Sequence, residues 1–235
     1  MYMKRAVYYD AIYAAMGKDY QAETARLHAI IQRHKRSPGN ALLDVACGTG
    51  GHIRFLGDFY AVEGLDLDAD MLAIARGKHP NVAFHQADML DFDLGRQFDV
   101  IVCLFSAIAY ALTADRLNAT LRTIGRHLRP GGVFAAEPFI APEQWREHHI
   151  SAVFVDQPEL KLARMNIGHR DRRVAVIDFH YMVGTPSGIE EFTERHDLAL
   201  FTREEYLEAF RRAGLEVHYD ADGLIGRGLY VGVKP

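Results

Sequence analysis

The stretch from Ala41 to Gly51, ALLDVACGTGG, constrains this chain more than any other: a short apolar run carrying one acid breaks into a turn with three glycines. Leu42 to Cys47 is apolar and bounded by glycine, as a strand buried in a parallel sheet should be. Gly48 and Gly50 add backbone freedom and lack a Cβ, so a ligand can lie against bare main chain. A helix is expected from Gly51 to about Leu56.

The dinucleotide fingerprint G-x-G-x-x-G needs a third glycine for close helix-to-strand packing beneath a pyrophosphate. This chain has Ile53 there, and Asp44 adds a fixed carboxylate near the turn. A ligand with a cationic end suits that pattern better than a pyrophosphate, and S-adenosylmethionine carries both an ammonium and a sulfonium. A glycine-rich turn alone also admits a purely structural reading.

Two further strand ends narrow the choice. Ala61 to Asp66 reads as a second strand ending in an acid, and Asp66 lies 22 positions after Asp44. That matches the acid about 20 residues on that grips ribose hydroxyls in nucleotide-binding βαβ units. Asp68 can cap the next helix, whose Met71 could lie on an adenine face or serve as core. A third strand, Val82 to Gln86, leads into Ala87-Asp88-Met89, again with an acid just past a carboxyl end. Ligands of open α/β sheets sit at those ends.

These residues resemble the class I S-adenosylmethionine-dependent methyltransferases. DVACGTGG, VEGLDLD, QADM, the fourth strand FDVIVCLFSA and the turn LRPGGV carry the resemblance. It implies an α/β, Rossmann-like fold with a mostly parallel seven-stranded sheet, flanking helices and an antiparallel β insertion. It also implies that Asp44, Ala46 and the Gly48 to Gly50 backbone hold the methionine end of the cofactor. Asp66 and Leu67 would hold the ribose, and Met71, Asp88, Met89 and Leu104 would surround the adenosyl group.

Size and charge agree with a single-domain enzyme. The 235 residues can bury one sizeable core, and a net charge of −4 lacks the positive field a nucleic-acid partner needs. The basic clusters at Arg33 to Arg36 and Arg170 to Arg173 read as solvated ends. Val100 to Ala114 is uncharged for 15 residues, short of the ~20 a spanning helix requires. Cys47 and Cys103 lack metal or redox spacing and read as core thiols of a cytoplasmic protein. His148-His149 has no partner spacing for a metal site, and no metal is expected.

Residues 1–40 read as a helical lid closed by the turn Ser37-Pro38-Gly39-Asn40, and 41–137 as the cofactor-binding half. In about 138–200 alternation such as Val174 to Tyr181 predicts the antiparallel insertion that would cover a substrate. Residues 201–235 open on a capping box, Thr202 to Glu205, and supply a final helix and two strands.

Nearly the whole chain is similar to one narrower group, the TDP-amino-sugar N,N-dimethyltransferases of deoxysugar biosynthesis. GKDY at Gly17 to Tyr20, DMLAIAR, CLFSAIAY, Glu137-Pro138, HDLALFTREEYLEAFRRAGLEV and GRGLYVGV carry that similarity. It implies Tyr9 and Tyr20 near the methionine end, Tyr13 beside the methyl, and Tyr2, Phe139, His180 and Arg227 toward a TDP-amino sugar. A homodimer is a further implication. The Arg227 fork suits a diphosphate, and it suits solvent equally well.

Two departures stand out. Where the group has S-I-G-H after the position of Ser106, this chain has Ala107-Ile108-Ala109-Tyr110, and Phe139-Ile140 replace a tryptophan pair. Tyr110 thus stands in place of a histidine base and is expected to position the amine, most of the acceleration coming from in-line placement. His180 and His196 read as structural or exposed histidines. Methylation of another small acceptor, or mere sensing of S-adenosylmethionine, are the competing readings.

Overall fold

Leu42, Leu43, Asp44 and Val45 are all buried, and burial on both faces places their strand in the middle of a sheet. The computed structural model describes residues 3–235, with side chains from Ala6 onward. Tyr2, expected near the substrate, lies outside the described residues.

In chain order, α1 (Met3–Ala15) and α2 (Tyr20–His34) precede β1 (Ala41–Val45), α3 (Ile53–Leu56), β2 (Ala61–Asp66) and α4 (Ala69–Lys78). Next come β3 (Ala83–Gln86), β4 (Phe98–Cys103), a 3₁₀ turn at Ala107–Ala111, α5 (Ala114–His127) and β5 (Leu128–Ala136). The insertion supplies β6 (Ile150–Gln157), β7 (Leu160–Asp171), β8 (Val174–Thr185) and β9 (Gly188–Ala199). The chain ends with α6 (Arg203–Arg212), β10 (Glu216–Asp220) and β11 (Leu229–Val233).

The main sheet has seven strands in the order β10-β11-β5-β4-β1-β2-β3, with only β11 antiparallel to its neighbours. Its two faces bury alternate residues. Leu43, Val45, Ile101 and Phe134 face Leu121 of α5 and Phe210 of α6, while Leu42, Val100, Val102 and Val231 face Leu27 and Ile31 of α2. The order reverses between β4 and β1, which opens a crevice at their carboxyl ends.

The N-terminal helical segment is two helices. Gly17 takes φ +74°, and Asp19 caps α2 by accepting the Ala22 N–H at 2.9 Å. The LRPGGV segment, expected as a turn, is instead the irregular start of β5, where a register shift against β4 absorbs Gly131 at φ +74°. The helix expected from Gly51 begins only at Ile53.

The insertion is a second sheet, in the order β6-β7-β8-β9, antiparallel throughout. One face packs Leu162, Tyr181 and Val183 against Ile12 of α1, which roofs the crevice. The opposite face leaves Ile150, Phe154, Met165 and Met182 exposed. Among the described residues no helix is long and apolar enough to cross a membrane.

Candidate active site

A cavity at the carboxyl ends of β1 and β4 is lined by Tyr9, Lys18, Tyr20, Asp44, Gly48 and Leu104. Ala46, Gly48 and Gly50 all take positive φ, at 58°, 55° and 76°. A Cβ on Gly48 would meet nothing within 4 Å, so its surface opens toward a ligand. A Cβ on Gly51 would strike the Tyr20 ring at 2.7 Å, so α2 rests directly on the loop.

Electrostatics inside the cavity favour a cation. Asp44 is buried, and burial, reinforced by the charge of Asp66, pushes its carboxyl up to about 8. Asp66 accepts the Gly48 N–H at 2.7 Å and the Asp68 N–H at 2.9 Å, which ties the end of β2 to the loop after β1.

The other adenosyl candidates are spread more widely. Asp88 is half-buried and accepts the Leu90 N–H at 3.0 Å, and Met89 is buried beside it. Leu67 is 64 % exposed. Met71 is buried with Leu72 and Ala75 on α4.

Residues the sequence did not nominate complete the wall. Lys18 Nζ donates to both oxygens of Glu23 at 2.9 and 2.8 Å, and His52 Nε2 pairs with Glu23 at 2.8 Å. Burial works to raise the Glu23 carboxyl, but His52 and Lys18 outweigh it and hold it below the usual range. Burial also lowers His52, so the imidazole is neutral and its Nε2–H donates. Thr49 donates to Asp10 at 2.7 Å, and Lys78 reaches the other Asp10 oxygen at 2.9 Å, so α1 is latched to the glycine loop.

The corner after β4 is strained. Phe105 and Ser106 take φ 53° and 65°, a left-handed conformation that side chains other than glycine rarely adopt. Three hydrogen bonds hold it. The Phe105 N–H donates to Glu137 Oε2 at 2.6 Å, Ser106 Oγ–H to the Pro138 carbonyl at 2.9 Å, and Arg227 Nη1 to Ser106 Oγ at 3.2 Å. Tyr13 stands edge-on to Phe105, with ring centroids 4.9 Å apart, and packs on Tyr9 at 4.5 Å.

The candidates toward the substrate divide. Tyr110 projects from the 3₁₀ turn, 41 % exposed, and its hydroxyl is hydrogen-bonded to His196. Arg227 is exposed overall yet anchored to Ser106 through its guanidinium. Phe139 packs with Trp145 against Ala109 and Leu198, beneath the insertion. His180 is exposed on the sheet face opposite Phe179 and Tyr181. Arg164, on β7, is buried between Tyr13 and Phe179, with its guanidinium 5.7 and 4.9 Å from their ring centroids. Among the described residues it forms no ion pair, and its Nε has no acceptor.

Buried Asp44, short of hydration, is stabilised in its charged form by an adjacent cationic group. The open face of Gly48 and the pre-oriented Asp66 leave room for a ribosyl group beside it. The residues present therefore fit S-adenosylmethionine. Among the described residues no group of three His, Cys, Asp or Glu side chains could hold a metal ion.

Residues 42–132 match the family described as a methyltransferase domain. Over 227 residues the chain is 42 % identical to a dTDP-3-amino-3,6-dideoxy-alpha-D-glucopyranose N,N-dimethyltransferase from Streptomyces fradiae, covering 96 % of this chain and 89 % of that one. A dTDP-4-amino-2,3,4,6-tetradeoxy-D-glucose N,N-dimethyltransferase from Saccharopolyspora spinosa is 38 % identical, with 96 % and 91 % covered. The crystal structure of Streptomyces venezuelae DesVI superposes with a TM-score of 0.93 at 37 % identity, over 100 % of both chains. An amino pentose methyltransferase from Micromonospora echinaspora, solved with SAM bound, gives a TM-score of 0.87 at 38 % identity, over 97 % and 96 %. With that similarity running through the insertion and the C-terminal tail as well as the glycine loop, the chain belongs to the S-adenosylmethionine-dependent methyltransferase family that contains these sugar N,N-dimethyltransferases.

Proposed function

We propose that this enzyme places one and then a second methyl group on the amine of a TDP-linked amino deoxysugar. One observation carries the reading: similarity to enzymes named for that reaction covers 96 % of the chain, including segments that the cofactor fold alone does not dictate.

When bound, S-adenosylmethionine supplies a sulfonium methyl that is electrophilic toward an amine. Asp44 and Lys18 complement its ammonium and carboxylate, Asp66 holds the ribose hydroxyls, and Asp88 with Met89 edges the adenine. Tyr9, Tyr13 and Tyr20 close the lid and exclude water. Arg227 meets the diphosphate at Ser106, and Arg164 supplies a second cation from the insertion. Most of the chain's work is placement, for which effective molarities of ~10⁵ to 10⁸ M are attainable.

The test is mass spectrometry after incubation with S-adenosylmethionine and TDP sugars aminated at C3 or at C4. Products heavier by one and two methyl groups support the reading, and inertness of every TDP-amino sugar overturns it. Phe139, packed under the insertion where relatives are expected to place tryptophan, favours a second reading in which the acceptor is a different small amine. The exposed apolar face of the second sheet is read as the docking face of a second copy, and the free thiols of Cys47 and Cys103 fit a cytoplasmic setting.

A further inference from the structure

Tyr110 has a partner far away in the chain. Its hydroxyl is hydrogen-bonded to Nδ1 of His196, 86 positions on. His196 Nε2 faces Glu194 Oε1 at 3.2 Å, and the second Glu194 oxygen accepts the Tyr181 hydroxyl at 3.3 Å. A neutral imidazole carries one N–H; the Glu194 carboxylate 3.2 Å away favours it on Nε2, which leaves Nδ1 to accept the Tyr110 O–H.

Strand register produces this arrangement. Across β8 and β9, Glu194 pairs with Phe179 and His196 with Ile177, so both project on the face that carries Phe179 and Tyr181. That face leads back to the cofactor cavity. The His196 ring stands edge-on to Phe179 at 5.1 Å, Arg164 lies 4.9 Å from Phe179 and 5.7 Å from Tyr13, and Tyr13 abuts Phe105 at the cavity wall.

We infer that Tyr110, His196 and Glu194 form a proton relay that drains the reacting amine, an inference that rests on the proposed N-methylation. Alkyl amines resemble lysine, with a pKa of about 10.4, and at neutral pH are mostly cations without a lone pair. Each transfer forms one N–C bond, breaks one S–C bond and leaves the nitrogen positively charged, so a proton must depart before the second methyl arrives. It passes to Tyr110 Oη while the phenol's own proton passes to His196 Nδ1. The imidazolium, paired with Glu194, returns that proton to water and resets the chain.

Tyr110 touches the substrate and is the catalytic residue. His196 and Glu194 act through it and are positioning residues. Among the described residues, the titratable and charged groups facing His196 include Tyr110 from the 3₁₀ turn and Glu194 on its own strand, with Tyr181 of β8 behind Glu194 and Arg164 of β7 across Phe179.

The experiment compares wild type with Tyr110→Phe, His196→Gln, Glu194→Gln and the Tyr110→Phe/His196→Gln double variant, following both methylations across neutral pH. Tyr110→Phe and His196→Gln each lower kcat for the second methylation about 100-fold, the lower end for a positioned acid–base group, with KM unchanged. The double variant is no slower than either single one, and the acidic limb of the kcat profile disappears. Added imidazole restores part of the rate to His196→Gly and none to Tyr110→Phe. Independently of turnover, nitrogen NMR of histidine-labelled protein shows His196 with its proton on Nε2 and an Nδ1 signal that shifts in Tyr110→Phe. A proton on Nδ1, an Nδ1 signal indifferent to Tyr110→Phe, or wild-type kinetics in His196→Gln would overturn the relay. Inertness of wild type toward every TDP-amino sugar overturns the substrate reading instead, and the NMR result still decides the relay.

Discussion

Asp66 Oδ2 sits 2.7 Å from the Gly48 amide, so the acid that ends β2 is oriented by the loop that follows β1. The Asp68 amide fixes its other oxygen at 2.9 Å. A carboxylate held from behind by two N–H groups needs little reorganisation to receive a pair of hydroxyls.

Asp66→Ala removes the anchor of the loop and, on the proposed function, the ribose acceptor as well. With hydrogen bonds to a charged group contributing about 1.5–3 kcal/mol each, cofactor affinity falls at least ~10-fold. Calorimetric titration with S-adenosylmethionine measures it, and unchanged affinity would remove Asp66 from the site.

Asp44 couples cofactor binding to pH. Its folded carboxyl is pushed up to about 8, chiefly by burial, whereas an unfolded aspartate titrates near ~3.9. Between those values the unfolded chain has released a proton that the folded chain retains, so cofactor-free stability declines as pH rises through that window. The cationic cofactor needs the ionised form, and its affinity rises over the same range. Asp44→Asn is expected to flatten both trends, raising the cofactor-free melting temperature at the top of the window by about 4 °C or more while abolishing tight binding. Thermal scans and titrations at matched pH check the opposite signs.

The glycine turn and the positions of Asp44, Asp66 and Asp88 at or near strand ends were legible because that pattern is local: a strand, a turn and an acid lie within a dozen residues. Lys18 was not, although it lies in the GKDY segment, because its role depends on a buried pair with Glu23 and on His52 from the loop beyond β1. The Asp19 cap was the available signal, since it starts α2 and puts Glu23 in the first turn. His196 was hidden for a stronger reason. Its contact with Tyr110 exists only in one register of β8 and β9, and a slip of one residue would turn it to the other face. Met71 is buried on α4 beside Leu72 and Ala75, a placement compatible with either of the two roles its sequence position allowed.

Glu137 holds the strained corner from beneath. It is fully buried, accepts the Phe105 N–H at 2.6 Å and, among the described residues, leaves Oε1 without a partner. Burial raises its carboxyl above the usual range against the pull of that N–H, Lys18 and Arg227. Glu137→Gln keeps an acceptor at the same place and is expected to unfold at or above the wild-type temperature. Glu137→Ala orphans the Phe105 amide and costs about 1–3 kcal/mol before any cavity term. Equal destabilisation by Gln and Ala in chemical denaturation would show that the charge, rather than the acceptor, supports the corner.

The outer face of the second sheet sets up an assembly test. Ile150 and Phe154 are 66 % and 68 % exposed, and Ala163 lies between Phe154 and Met182 in the register. Phe154→Asp places a charge in the middle of that apolar strip. If a second copy docks there, wild type sediments as a dimer and Phe154→Asp as a monomer with its fold intact by circular dichroism. Identical sedimentation of the two proteins would remove this face as the interface.

Arg164 separates binding from stability. Among the described residues this buried guanidinium has no ion pair to make its charge tolerable, and its contacts with Tyr13, Phe179, the Tyr181 hydroxyl and Met16 Sδ at 3.3 Å satisfy it only in part. An anionic substrate group arriving beside it would supply the missing charge. Arg164→Met keeps the packing volume and removes the cation, so the cofactor-free protein is expected to be no less stable than wild type. KM for the nucleotide sugar rises at least ~10-fold, in line with ~1.5–3 kcal/mol for a hydrogen bond to a charged group. The cofactor dissociation constant stays the same, since Arg164 meets the cavity only through Tyr13. A loss of stability with unchanged KM would make Arg164 a stacking element of the lid, and the partner for the diphosphate would then have to be Arg227 alone.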